Sequence, residues 1–408
     1  MTTFQNPFRP GAGHMPPYLA GRGDEEAQFK RLLSQTQILE NLVLTGLRGV
    51  GKTVLLETFK PLAISEGWFW VGTDLSEAVS VSEANLALRI ITDISVVTSS
   101  FVVKAGEHAG LGFGAEDSDI LQPVNFAFLS RMYDNEPGLV SDKLKAVLEF
   151  VWLLVKNSGK KGVIFAYDEA QNLSDSGDKT QFPLSVLLDV FQSIQRKEIP
   201  FMLALTGLPT LFPKLVEART FAERMFRVVS IDRLDAKATR EAIETPVQRE
   251  ECPLTFSSTS VEAIALLSGG YPYFIQFICR EVYDVWIQRF ATDAEMGIPI
   301  VEITRKLDTD FFAGRWAKAT DRQRDIMWVI SCLDNCDHEF SVQDIVSKSE
   351  LILDKPFTSS HANQMLVALA GVGLICKNRH GKYMFAVPLM ADFVRRQSGS
   401  AGSSTIAA

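Results

Sequence analysis

The run Gly46-Leu-Arg-Gly-Val-Gly-Lys52-Thr53 narrows the folds open to this chain more than any other feature. It fits G-x-x-x-x-G-K-[ST], in which glycines let backbone N–H groups wrap phosphates, the lysine meets the outer phosphate oxygens and the hydroxyl ligates Mg²⁺. That chemistry needs a strand before the loop and a helix after it. Residues 41–45 read as a short apolar strand, and an apolar-periodic stretch runs on to about Ala63 as a helix, so the context is present. Gly46, Leu47, Arg48, Gly49, Val50, Gly51, Lys52, Thr53 and Val54 are therefore the expected phosphate-binding set. A Gly-rich structural turn is the plainer alternative, and the flanking strand and helix weigh against it.

A second element, Val163-Ile-Phe-Ala-Tyr-Asp168-Glu169, is an apolar strand that ends in two carboxylates. Its unbroken apolar run suits a strand buried on both faces of a sheet. Asp168 is the candidate Mg²⁺ ligand and Glu169 the residue that orients or deprotonates an attacking water. An acidic pair after a strand is, on its own, more often a solvated helix cap. The upstream phosphate loop changes that balance. Thr206 ends the following strand, either as a sensor of the γ-phosphate or as the start of a turn before Gly207 and Pro209. Arg219, Arg224 and Arg227 come next, and Arg224 is the candidate to reach a phosphate in a neighbouring subunit, against a plain role as a surface arginine.

With 408 residues the chain exceeds what one core usually supports. The Pro- and Gly-rich residues 1–23 read as an arm, and residues 24–234 alternate strands and helices as a mostly parallel α/β sheet does. The expected pieces after the loop are a strand at 69–74, a helix at 82–97, a Gly-rich insertion or mobile loop at 100–125, a helix at 141–156, and then helices at 184–196 and 210–225. Residues 235–310 turn wholly helical, with Gly269-Gly-Tyr-Pro272 separating two helices, and read as a lid. Residues 311–396 run helix, helix, helix, hairpin, the order of a winged helix, and the Ser/Gly/Ala tail 397–408 is expected to be disordered.

A formal charge of −8 argues against a surface given over to polyanions, so nucleic-acid contact is expected to be local. Lys377, Arg379, His380 and Lys382 form a basic wing, whereas Ser359-Ser-His-Ala-Asn-Gln364 on the preceding helix has neither Lys nor Arg. Duplex DNA and a protein partner thus remain open for that module. The five cysteines lie mostly in apolar stretches, as buried thiols of a reducing compartment do, and no stretch reaches the length of a membrane helix; cytoplasm is expected. Cys332, Cys336 and His338 fall short of a tetrahedral zinc set.

On Leu19-Ala-Gly-Arg22 with Glu25, the phosphate loop, Tyr167-Asp-Glu-Ala-Gln171, Phe221-Ala-Glu-Arg224 and Gly269-Gly-Tyr-Pro272, the sequence resembles the AAA+ and STAND branches of P-loop ATPases, particularly prokaryotic ATPases related to the origin-recognition initiators. The likeness covers about residues 6–395. It implies an AAA+/ASCE-type parallel sheet, an all-α lid and a terminal winged helix, with ATP or ADP and Mg²⁺ as cofactors, ATP hydrolysis as the activity and a homo-oligomer as the working form. It also implies that Gly21, Arg22 and Pro272 lie near the adenine. No arginine follows Gly269-Gly270 where many AAA+ lids carry one, and Gly-x-Pro there resembles STAND lids. A slow switch is therefore as natural an expectation as a motor.

Overall fold

Strand Gly162–Tyr167 is buried at every position, as its unbroken apolar run predicts, and a computed structural model places it inside a five-stranded parallel sheet. The structure describes residues 5–402 except 12, 81, 105–120, 178, 250–251, 253, 290–296 and 380. The chain divides into two compact units. One holds Gly23–Thr45 and Leu55–Ser230; the other holds the arm to Arg22, Gly46–Val54 and everything from Ile231 on.

The first of these, the sheet unit, runs α1 (Gly23–Leu33), β1 (Asn41–Thr45), α2 (Lys52–Ser65, which begins in the other unit), β2 (Trp68–Val71), α3 (Glu77–Ser80), α4 (Glu83–Thr98), β3 (Val102–Lys104), β4 (Leu121–Pro123), α5 (Phe126–Asn135) and α6 (Val140–Val155). It continues through β5 (Gly162–Tyr167), a 3₁₀ turn at Ala170–Asn172, α7 (Pro183–Gln195), β6 (Phe201–Gly207), α8 (Leu211–Ala218), α9 (Ala222–Met225) and β7 (Phe226–Ser230). The strand order is β2-β5-β6-β1-β7, so β6 lies between the strand that precedes the phosphate loop and the strand that ends in the acidic pair. Leu44 pairs with Thr206 and Tyr167 with Leu205, which brings the C-terminal ends of β1, β6 and β5 level at one edge of the sheet. Helices α4, α6 and α7 bury Ile90, Ile94, Val147, Val151, Leu187 and Phe191 in the core of this unit. Ligands of open α/β sheets bind outside that carboxyl edge.

Three segments differ from the sequence expectation. The strand expected over 69–74 stops at Val71, because Gly72 turns to a φ of +129°. The helix expected over 210–225 breaks at Arg219, whose backbone is extended, into α8 and α9. The ends of the expected insertion, β3 and β4, pair antiparallel, α5 follows where no helix was foreseen, and 105–120 lies outside the described residues.

The second unit continues from Ile231 with α10 (Ala236–Arg249), α11 (Ser258–Ser268), α12 (Pro272–Arg289), α13 (Ile300–Leu307), a π-helical turn at Asp308–Phe312 and α14 (Ala313–Trp316). Then come α15 (Asp321–Ser331), β8 (Phe340–Ser341), α16 (Val342–Ile352), α17 (Ser359–Gly371), β9 (Ile375–Arg379), β10 (Lys382–Phe385) and α18 (Met390–Gly402). The strands form an antiparallel sheet in the order β8-β10-β9. The expected boundary at 310 falls inside the helical run from Ile300 to Trp316. One core joins Phe8 of the arm to Phe274, Phe312, Leu366 and Phe393, with the Phe312 and Phe393 rings stacked at 5.0 Å. Helix α18 extends to Gly402, into the tail expected to be disordered, since a helix already seeded by buried Met390, Phe393 and Val394 can propagate through small residues; 403–408 lies outside the described residues. Among the described residues no helix is long and apolar enough to cross a membrane.

Burial pushes the Cys376 thiol from its ordinary 9.0 up to about 12. Burial also holds the Cys279 thiol well above the ordinary thiol range. A group whose folded pKa is raised contributes stability below its unfolded pKa and loses it as pH rises toward the folded value. Thermal melts are accordingly expected to show a Tm that falls between pH 9 and 12, with a shallower slope in Cys376→Ala. An unchanged slope in that variant would contradict the assignment.

Candidate nucleotide site

The phosphate loop belongs to the second unit. Gly49 and Gly51 have φ of 82° and 93°, a region closed to most side chains, which is the kind of backbone an anion-binding loop needs. Val50 is 1% exposed and anchors the loop from below. Lys52, the first residue of α2, is buried, and its Nζ donates to the carbonyl oxygens of Gly46 and Leu47 at 2.9 Å each. The ammonium is thus held over the loop it serves. Thr53 follows, half-buried, with a hydroxyl of the hard-oxygen type that Mg²⁺ prefers.

The arm and the start of α12 also meet this loop. Arg22 is buried, and its Nη2 donates to the Val50 carbonyl at 3.0 Å and the Asp232 carbonyl at 2.8 Å. The Tyr273 N–H donates to the Gly49 carbonyl at 3.1 Å, directly after Pro272 opens the helix. Leu234 N–H is held by the Gly270 carbonyl at 2.8 Å, and Gly21 lies against Ala238. Gly21, Arg22 and Pro272 are therefore gathered with the loop. What the sequence reading missed is Arg315, in α14. Burial first, and then the charge of Arg48, lower its pKa, and the Arg48 guanidinium lies against Gly373. Arg48 and Arg315 are two half-buried cations brought near one another, and no spacing in the sequence connects them.

In the sheet unit the acidic pair follows β5. Asp168 is 4% exposed, and the fully buried Thr206 hydroxyl donates to its Oδ1. The Glu169 N–H donates to the same oxygen at 2.7 Å. Backbone bonds from Leu75 N–H to the Asp168 carbonyl at 2.9 Å, and from Asp168 N–H to the Thr73 carbonyl at 3.2 Å, tie this point to the chain leaving β2. Glu169 takes a left-handed φ of 52°, uncommon for a residue with a side chain and typical of sites where geometry matters more than local strain. Its carboxylate accepts from Gln171 Nε2. Asp74 stands nearby with its pKa raised by burial first, then by Asp168, Glu169 and Glu57. This is a concentrated negative region at a strand end, of the kind a cation neutralises.

The hydroxyl of Thr206, open on sequence between a γ-phosphate sensor and a turn residue, donates its hydrogen bond to Asp168. Arg219 is paired with Asp189 at 2.6 Å and Arg227 with Glu40 at 2.9 Å, while Arg224 stands exposed on α9. Among the described residues no group of three or more His, Cys, Asp or Glu is arranged to hold a metal ion, and Cys336 Sγ accepts from Arg395 Nη2 at 2.9 Å.

No family model and no curated protein sequence matches the chain. Among solved structures it is similar to a Walker-type ATPase of Pyrococcus abyssi, at 15% identity and a TM-score of 0.59 over 92% of this chain and 96% of that one. It is also similar to the ORC2 protein of Aeropyrum pernix in its ADP form, at 12% identity and a TM-score of 0.52 over 95% of this chain and 97% of that one. At such identities the likeness is one of fold.

Proposed function

On the premise that the chain has the origin-recognition-like AAA+ P-loop fold, we propose that it is a Mg²⁺-dependent ATP-binding and ATP-hydrolysing switch whose nucleotide state governs assembly on duplex DNA or a protein partner. The carrying observation is the carboxylate pair, in which Asp168 is fixed by Thr206 beside a half-buried Glu169 at the edge where β1 leads into the phosphate loop. A cap on a solvated helix has no need of that clamp.

In this reading the N–H groups of Gly46–Gly51 cradle the phosphates and Lys52 meets the β and γ oxygens. Leu47, Arg48, Val50 and Val54 shape the loop, and Gly21, Arg22 and Pro272 border the base. Thr53 and Asp168 supply hard oxygens to Mg²⁺, which when bound neutralises phosphate charge. Glu169 orients the water for in-line attack on the γ-phosphate, and Arg224 reaches the site of a neighbouring subunit. The module of α15–α17 with the β9–β10 hairpin acts as a winged helix, its Lys377 and Lys382 touching phosphates.

The exposed face of α17, with Ser359, Ser360, Asn363 and Gln364 and no basic residue, favours a second reading: a STAND-like signalling or defence scaffold that retains ATP or ADP with little turnover. Steady-state ATP hydrolysis with and without duplex DNA at low and high salt separates the two. Turnover raised by DNA at low salt alone is expected of the DNA-coupled switch. Tight nucleotide retention, negligible turnover and indifference to DNA would leave the scaffold.

A further inference from the structure

The side chain of Gln171 lies between the acidic pair and the end of β6, and no part of the reading above uses it. Its Nε2 donates to Glu169 Oε2, and its Oε1 accepts the Leu208 N–H at 3.1 Å, two residues beyond Thr206. The amide has one orientation that satisfies both neighbours, because the carboxylate requires a donor and the Leu208 N–H requires an acceptor. Turning it over would set an amide against the N–H and a carbonyl oxygen against the carboxylate.

The backbone beneath this amide is pinned from two further directions. Lys214 of α8 donates its Nζ to the Gln171 carbonyl at 2.7 Å, and burial lowers the pKa of that lysine. Asn172 Nδ2 donates to the Leu75 carbonyl at 2.8 Å, on the chain leaving β2. The 3₁₀ turn that carries Gln171 is therefore fastened on both sides, and its amide has little freedom to follow Glu169. Glu169 must instead conform to Gln171. The two adjacent carboxylates are thus each joined to the same short stretch of chain at the end of β6. Thr206 holds Asp168 directly, and Leu208 holds Glu169 through Gln171.

We propose that Gln171 is a positioning residue for ATP hydrolysis, transmitting the position of the β6–α8 connection to the Glu169 carboxylate so that both carboxylates shift as one. The proposal rests on the ATPase reading of this chain. Glu169 is the catalytic residue and Gln171 acts through it. A base or water-orienting group that loses its alignment costs rate without costing affinity, because the ground-state contacts of the nucleotide lie elsewhere.

Two substitutions divide the possibilities. Gln171→Ala removes both hydrogen bonds. Gln171→Glu keeps an acceptor for Leu208 N–H, and so keeps the scaffold, but replaces the donor to Glu169 with a like charge. Both variants are expected to lower kcat about ten-fold or more, with KM and the dissociation constant for ATP unchanged. In a Glu169→Gln background, Gln171→Ala is expected to leave the residual rate where it was, since the residue through which it acts is already disabled. The proposal is overturned if Gln171→Glu retains wild-type kcat, because Gln171 would then serve only to hold Leu208. It is overturned equally if the losses multiply in the Glu169→Gln background, or if affinity falls along with kcat. A wild type that hydrolyses ATP while both Gln171 variants match it removes this inference alone; a wild type without turnover removes the ATPase reading and the inference with it.

Discussion

Glu169→Gln is expected to bind ATP as the wild type does and to hydrolyse it about 10²–10⁴-fold more slowly, the range that general-base catalysis contributes. The amide keeps the size of the side chain and most of its packing on the 3₁₀ turn but cannot take a proton from water. Lys52→Ala is expected to fail earlier, at binding. Its ammonium is buried and fixed by two loop carbonyls, so truncation removes the loop's fixed positive charge and leaves the Gly46 and Leu47 carbonyls without that donor. Equilibrium binding of a fluorescent ATP analogue together with single-turnover hydrolysis checks both. Normal binding and absent turnover in Glu169→Gln, against absent binding in Lys52→Ala, is the expected pair of results. A Glu169→Gln protein as fast as wild type would remove Glu169 from the chemistry and return the acidic pair to a structural role.

Much of this site is legible in the sequence because its chemistry is local. A phosphate loop is eight consecutive residues, and the acidic pair adjoins the strand that delivers it, so spacing and hydrophobic run length suffice to find both. Parallel strands buried on both faces also announce themselves, as β5 and β6 do. The rest depends on pairings far apart in the chain. Arg22 donates to the Val50 and Asp232 carbonyls, 28 and 210 residues away, bonds that no local spacing announces. Thr206 reads either as a phosphate sensor or as the start of a turn, and the bond its hydroxyl donates to Asp168 across the β5–β6 ladder has no local signal. Asp189 and Glu40, which pair with Arg219 and Arg227 on either side of the candidate Arg224, are likewise distant in the chain. Arg315 comes within reach of the Arg48 charge through folding alone. Helix α5 was missed because its apolar stripe is thin, Leu129 being its one fully buried residue.

The loss of β2 at Gly72 leads to the largest stability effect expected of a single added methyl group. A Cβ built there would lie 1.8 Å from the Ala166 carbonyl oxygen and 2.8 Å from the Ala166 nitrogen, at a φ of +129° that side chains rarely adopt. Backbone, not a flexible side chain, is what it meets. Gly72→Ala must therefore part β2 from β5 at the pair Val71–Phe165, and the combined strain and lost pairing should cost about 3 kcal/mol or more. For a unit of this size that lowers Tm by roughly 6–12 °C. Gly67→Ala is the matching control. Its φ of +86° also disfavours a side chain, but the nearest atom, Lys161 Cγ, is 3.9 Å away, so only a conformational cost of about 1–2 kcal/mol applies. Thermal melts of the two variants beside wild type measure the difference. Ala166 stands two residues before Asp168, so the same displacement should disturb the acidic pair, and Gly72→Ala should lose ATP turnover even at temperatures where it remains folded. Equal melting temperatures for the two variants would mean that β2 yields to the methyl group without strain.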